Sequence, residues 1–248
     1  VTPWYEESFG ERYLDLYPHR SEAEAEQDVQ KLLTLTGLHR DKPVLDLGCG
    51  AGRHLQALRA HGFNNLVGLD LSEALLREAA RRLSSTGGGV TLVRGDMRVI
   101  PFQDRFAAVL SFFTSIGYFE TDSENARVFT SVFESLAGDG LFVIDFFNRI
   151  YVIENIVAED ERTLQGMLVR SDRSISNDGR RIVKKMRVTT EQGEEMEFTE
   201  SVRLFTGTEL VALLTGAGFT DICTYGSLSG EPFTRNSERL VVVASKPA

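Results

Sequence analysis

Residues 44–54 read VLDLGCGAGRH, and the reading of this stretch decides the fold. Val44, Leu45 and Leu47 form an apolar run interrupted only by Asp46, which ends in glycines at 48, 50 and 52; beyond them Leu55 and Leu58 recur at helical spacing. A buried strand therefore turns straight into a helix, which stops near Gly62. Glycines at such a junction let a ligand approach the backbone closely, and the amide end of the helix favours anions. Neither property explains the acid at position 46.

The same rhythm continues on both sides. Ser21 and Glu24 make a capping-box pair ahead of Val29, Leu32 and Leu33, which predicts a helix before the first strand. After the glycines come a strand NLVGLD (65–70), a helix from Ser72 to about Leu83, and the strands VTLVRGD (90–96) and FAAVLSFF (106–113). A helix opened by Thr121 and Glu124 follows, with Phe129, Val132, Phe133 and Leu136 as its buried stripe, and then a strand GLFVIDFF (140–147). This alternation predicts an α/β fold with a doubly wound, seven-stranded, mostly parallel sheet whose ligands bind beyond the carboxyl ends of the strands. From 151 to 204 the pattern changes to charged and apolar alternation broken by NDG (177–179) and EQGE (191–194), which predicts an inserted three-stranded antiparallel meander. A helix capped by Thr206 and Glu209 and two further strands complete the main domain, so 1–150 and 205–248 are expected to form one unit and 151–204 an insertion. Arg180, Arg181, Lys184, Lys185 and Arg187 are expected to be a solvated, edge-protecting face of the meander.

Composition narrows the function. The 248 residues, 42% hydrophobic, can fill one sizeable core. Cys49 and Cys223 form no CxxC pair and the four histidines lack zinc-ligand spacing with them, so neither a disulfide framework nor a metal is expected. A net charge of -9 disfavours broad contact with a nucleic-acid backbone. No run approaches the roughly 18 apolar residues of a membrane span, and VTPWYEESFGERY (1–13) is too polar for a secretory signal, which makes the cytoplasm the expected location.

A dinucleotide is the first ligand to weigh against the glycine loop. The GxGxxG fingerprint needs its third glycine at 53 or 55, and those positions hold Arg53 and Leu55. Asp46 would repel a pyrophosphate but would attract a ligand carrying ammonium and sulfonium charge, a description met by S-adenosylmethionine. Asp70, ending the second strand, has the place of an acid that accepts hydrogen bonds from ribose hydroxyls, and Asp96 after the third strand offers an acceptor for an adenine amino group. Asp70 could instead cap the next helix, but Ser72 is the better cap.

VLDLGCGAGRH, GLDLS (68–72), GDMRVIPF (95–102) and FAAVLSFF resemble, in order and spacing, the successive motifs of class I S-adenosylmethionine-dependent methyltransferases, a likeness that covers nearly the whole chain. Residues 95–119 further resemble the branch containing amino-sugar N,N-dimethyltransferases, which also insert an antiparallel sheet before the last helix; WYEESFGERYLDLYPHR (4–20) and DFFNR (145–149) resemble another bacterial branch. The resemblance implies a Rossmann-like methyltransferase domain in which Asp46, Gly48 and Gly50 meet the methionine part of the cofactor. It also implies that Asp70 and Leu71 hold the ribose, that Asp96 and Met97 face the adenine, and that Phe112 begins the wall beneath the sulfonium. Tyr17 and Arg20 are the implied closures over the cofactor carboxylate. Since Phe112 and Phe113 would alternate along a strand, only one of them is expected to face a cleft.

Methyl transfer needs an aligned acceptor and exclusion of water, with no covalent nucleophile. Tyr118, running off the end of the fourth strand, is expected to orient the acceptor, with the proton passing to water or to a nearby carboxylate such as Asp145. It stands where the resembling enzymes hold a histidine. Tyr13, Asn148 and Arg149 are further candidates for holding the acceptor, a small molecule methylated on nitrogen or oxygen; the tetrad of nucleobase amino-methyltransferases is replaced here by SFFTSIGY (111–118). The insertion is expected to be either a lid or the contact of a homodimer. A nucleotide-cofactor oxidoreductase and a binding module without catalysis are the alternatives.

Overall fold

The computed structural model describes residues 3–5, 16, 21–84 and 87–248. Helix α1 (Glu22–Thr36) leads into strand β1 (Val44–Leu47), helix α2 (Arg53–Ala60), strand β2 (Leu66–Asp70), helix α3 (Glu73–Leu83), and strands β3 (Val90–Arg94) and β4 (Phe106–Ser111). Helix α4 (Asp122–Ser135), strand β5 (Leu136–Phe147) and helix α5 (Arg149–Asn155) follow. Strands β6 (Glu159–Leu164), β7 (Met167–Ile175), β8 (Arg181–Thr189) and β9 (Glu195–Arg203) come next, then helix α6 (Gly207–Ala217) and strands β10 (Thr220–Tyr225) and β11 (Arg239–Ser245). The three capping boxes legible in the sequence, Ser21 with Glu24, Thr121 with Glu124 and Thr206 with Glu209, all form.

The main sheet has seven strands in the order β10-β11-β5-β4-β1-β2-β3. Strands β5, β4, β1, β2 and β3 run parallel, and β11 is antiparallel to both its neighbours. From β1 the chain moves outward to β2 and β3, then returns to place β4 on the other side of β1. That reversal opens a crevice at the carboxyl ends of β1 and β4, where ligands of such sheets bind. Val44 joins the core on one face of the sheet while Leu45 and Leu47 join the core on the other, so β1 is apolar on both sides.

The second sheet has four antiparallel strands, β6-β7-β8-β9, where three were expected. Strand β6 escapes a reading of apolar alternation because its sequence is EDERTL; ion pairs to the neighbouring strand hold it, Asp160 to Arg173 at 2.5 Å and Glu161 to Arg170 at 2.6 Å. Arg180, Lys185 and Arg187 are exposed, as expected of a solvated face, but the edge-protecting role does not fit, because β8 pairs on both sides. Burial instead pulls the Lys184 ammonium down to about 8. Val169, Met186 and Val188 pack with Leu16 and Leu75 in a small third core. Among the described residues no helix is long and apolar enough to cross a membrane.

Candidate active site

At the crevice lies a cavity of about 490 Å³. One side is lined by Gly48, Gly50, Asp70, Leu71, Asp96 and Met97, and the other by Phe112, Phe113, Tyr118, Phe119 and Tyr5. The glycine loop is pinned where it leaves the sheet: the amides of Gly48 and Cys49 both donate to the Leu69 carbonyl, at 2.8 and 3.1 Å. Gly48 adopts φ +73°, and a Cβ there would stand 2.8 Å from the Cβ of Ser115, so glycine lets the loop lie against the segment that follows β4.

Asp70 closes the loop from the other side. One carboxylate oxygen accepts from the Gly50 amide at 2.8 Å and the other from the Ser72 amide at 2.9 Å. Burial pushes its carboxyl above the usual range, and the amides of Ser72, Gly50 and Leu71 pull it back in part. Ser72 caps α3, as expected, so Asp70 is left to the loop and the cavity.

Asp46 is 1% exposed and does not itself line the cavity. Its Oδ2 is buried without a hydrogen-bond partner. Burial and the Asp70 charge push its carboxyl up to about 7, opposed by Arg53. A buried acid and a half-buried one beside one cation leave the floor of the site short of positive charge, a deficit that a cationic ligand relieves. The residues present thus fit a cofactor carrying ammonium and sulfonium groups and fit a pyrophosphate badly.

A pH dependence follows. Asp46 has a folded-state value above its ordinary 3.8, so the protein without ligand loses stability as pH rises from about 4 through about 7. A cation bound nearby favours the carboxylate, so S-adenosylmethionine affinity should rise through the same window and level off above it. Calorimetric titration from pH 5.5 to 8 reads this, and Asp46→Asn should flatten the rise. An undiminished slope in the variant would assign the titration to another group.

Asp96 reaches the cavity edge in an ion pair. Arg98 grips it through Nε at 3.1 and 3.0 Å and through Nη2 at 2.6 Å, then reaches Glu124 at 2.7 Å and lies over the Phe119 ring at 4.2 Å. Burial acts to raise the Asp96 carboxyl, but the Arg98 bonds outweigh it and hold it low. Phe112 stacks on His54, with centroids 4.0 Å apart, and His54 faces Asp28 at 3.4 Å.

Phe112 and Phe113 both line the cavity, contrary to strand alternation. The reason is that β4 stops at Ser111 and the chain enters left-handed backbone at Phe113 and Thr114, with φ of 53° and 62°. Tyr118 lines the cavity as expected and meets the edge of Trp4 at 5.3 Å, while Tyr5 meets Phe119 at 5.5 Å. Tyr5, Phe113 and Phe119 were not anticipated. The aromatic density of FFTSIGYF (112–119) was the available signal.

Three expected residues sit elsewhere. Asp145 does not line the cavity: one oxygen accepts from Arg239 Nε at 2.8 Å and the other from the Phe113 amide at 2.9 Å, so it anchors the turn after β4 instead of presenting a proton acceptor. Asn148, expected to hold the acceptor, is buried and caps α5 through Ile150 while its amide donates to the carbonyls of Thr234, Arg235 and Ser237. Arg149 donates to the Gly179 carbonyl at 2.8 Å and ties α5 to the turn between β7 and β8, also away from the cavity. A short helix begins directly after β5, with Asn148 as its cap and Arg149 as its first residue. Tyr13, Tyr17 and Arg20 lie outside the described residues.

Residues 44–140 match the model of a family described as a methyltransferase domain. The chain is 35% identical to dTDP-3-amino-3,4,6-trideoxy-alpha-D-glucopyranose N,N-dimethyltransferase of Streptomyces venezuelae over 127 residues, 49% of this chain and 52% of that protein. It is 30% identical to dTDP-4-amino-2,3,4,6-tetradeoxy-D-glucose N,N-dimethyltransferase of Saccharopolyspora spinosa over 205 residues, 79% of this chain and 78% of that one. Several of the curated relatives are matched over only about half their length. The solved structure of CalS10, an amino pentose methyltransferase from Micromonospora echinaspora with S-adenosylmethionine bound, aligns over 99% of this chain and 98% of its own, with a TM-score of 0.67 and 25% identity. Glycine loop, acids at the strand ends, sheet order and these likenesses agree: the chain belongs to the class I S-adenosylmethionine-dependent methyltransferases.

Proposed function

We propose that this protein transfers a methyl group from S-adenosylmethionine to an amine nitrogen of a small-molecule acceptor. The observation that carries the cofactor assignment is Asp46, a buried carboxylate with an unpartnered oxygen behind the glycine loop. The nitrogen acceptor is supported by the relatives, two of them named as amino-sugar N,N-dimethyltransferases. A net charge of -9 supports a small acceptor over a nucleic acid.

Gly48, Gly50, Asp70, Leu71, Asp96 and Met97 would hold the cofactor, which when bound supplies a methyl carbon already activated by the sulfonium. The chain's own part is alignment and dryness. Phe112 and Phe113 exclude water on the far wall, and Tyr118 offers a hydroxyl to orient the acceptor nitrogen. With Asp145 engaged by Arg239, the acceptor enters as the neutral amine or releases its proton to water. The second sheet shapes the site from behind its wall, a reading supported by Leu75, which lines the cavity and also packs with Val169, Met186 and Val188.

Cofactor at 100 times its dissociation constant should stabilise the fold by about 2.7 kcal/mol, a rise in melting temperature of roughly 5 to 10 °C for a chain of this size. The companion measurement is release of S-adenosylhomocysteine in a screen of amines, amino sugars and carboxylic acids. No thermal shift at millimolar cofactor would sink the proposal, and turnover of carboxylic acids alone would move the acceptor atom to oxygen.

A further inference from the structure

Among the described residues, none of β6 to β9 lines the cavity, yet the second sheet holds the backbone of the segment that does. The Arg203 amide donates to the Gly117 carbonyl at 2.8 Å. Arg181, the first residue of β8, extends its guanidinium to the next two carbonyls: Nη1 donates to Phe119 O at 3.0 Å and Nη2 reaches Tyr118 O at 3.5 Å. The same side chain is anchored in its own sheet, Nε donating to Ser201 Oγ at 2.8 Å and Nη2 to Ser201 O at 2.7 Å. Gly117, at φ +91°, lies so close that a Cβ would stand 3.0 Å from the Arg203 carbonyl. Three consecutive carbonyls, 117 to 119, thus accept from one sheet, the last of them shared with Asn125 Nδ2 of α4 at 3.0 Å.

We infer that Arg181 is a positioning residue for methyl transfer: by fixing the backbone of Tyr118 and Phe119 it sets the pitch of their side chains at the acceptor end of the cavity. The second sheet thereby governs acceptor geometry without touching the acceptor. This rests on the methyl-transfer reading of the cavity. Arginine suits the task because its planar fork presents five donors spread over three nitrogens, enough to satisfy carbonyls on two segments at once, whereas the three donors of a lysine ammonium all radiate from one nitrogen. Burial lowers the guanidinium from its ordinary range, as expected of a cation held for its hydrogen bonds.

The chain supplies its own reporter. Trp4 is the one tryptophan of the sequence and meets the Tyr118 ring edge-on at 5.3 Å, so its fluorescence reads the position of the Tyr118 segment. In the full chain, Arg181→Met should shift Trp4 emission to the red and raise its quenching by acrylamide, while S-adenosylhomocysteine affinity stays at the wild-type level. Arg187→Met, further along β8 where the side chain pairs with Glu197 at 3.2 Å, should leave both unchanged. With an acceptor from the screen, Arg181→Met should lower kcat about 10-fold with the cofactor KM unaltered, the size of one transition-state interaction. An unchanged Trp4 spectrum in Arg181→Met, or an equal shift in Arg187→Met, overturns the inference. If Arg181→Met does not fold, Ser201→Ala frees only Nε and should give a smaller shift of the same sign; no shift there overturns it equally. Failure of wild-type protein to bind S-adenosylhomocysteine would instead overturn the methyl-transfer reading and leave the Trp4 result standing.

Discussion

Arg203→Met lowers the stability of the protein by about 3 kcal/mol, the low end of the range for losing one partner of a buried ion pair. Arg203 is 2% exposed and donates to Asp122 at 3.0 Å, to Glu209 at 2.5 Å and to the Leu204 carbonyl at 2.9 Å, with the Phe205 ring 4.8 Å away. Asp122 and Glu209 keep part of their surface in water, which is why the upper end of the range does not apply. In urea, with a slope of roughly 2 to 3 kcal/mol per molar, the midpoint should fall by about 1 M. An unmoved midpoint would mean that Asp122 and Glu209 are as well served by water as by the guanidinium.

The effect carries a pH signature. Burial acts to raise the Glu209 carboxyl, but the Thr206 amide and Arg203 outweigh it and bring it down to about 2 from an ordinary 4.5. A depressed folded-state value contributes stability that is complete above about 4.5 and is lost as pH falls toward about 2. The gap between wild type and Arg203→Met should therefore be widest above pH 5 and shrink in acid. A constant gap down to pH 2 would take Glu209 out of the account.

Gly48→Ala weakens S-adenosylhomocysteine binding by about 100-fold. Left-handed backbone costs a residue with a Cβ about 1 to 2 kcal/mol, and relieving the overlap with Ser115 adds about 1 to 3 kcal/mol. The new methyl group would meet the Ser115 Cβ at 2.8 Å, a contact no side-chain rotation removes, so the loop must lift from the segment after β4. With each 1.4 kcal/mol worth about tenfold in affinity, the sum reaches two orders of magnitude. Wild-type affinity in a folded Gly48→Ala protein would show that the loop moves freely and is not a fixed cradle.

What was legible in the sequence was whatever local chemistry dictates. Three capping boxes, the strand-glycine-helix junction and the alternation of β1 to β5 each depend on residues a few positions apart. Strand β6 was hidden because its charges are matched by partners on β7 and not by its own pattern. One wall of the cavity was likewise readable, since Gly48, Gly50, Asp70, Leu71, Asp96 and Met97 lie at successive strand ends and all line it, whereas Asp46, expected beside them, does not. The acceptor side was not, because it depends on where β4 lets go of the sheet. Phe113 enters the cavity through a left-handed turn that Asp145 stabilises from another strand, and this bond and the one from Arg239 engage both oxygens of a carboxylate whose position alone had recommended it as a proton acceptor. Asn148 shows the same limit: its three carbonyl partners come from 234 to 237, far along the chain.

The bonds of Arg203 bear on how this architecture can change over generations. Asp122 is the first residue of α4, and Glu209 completes the capping box of α6, yet both are held by an arginine at the end of β9. The inserted sheet is therefore not a cassette that could be exchanged between relatives at its two connections. Arg180, in the turn before β8, answers the same two acids at 2.5 and 3.6 Å, so a transplanted sheet has to carry both arginines across or leave Asp122 and Glu209 with fewer partners.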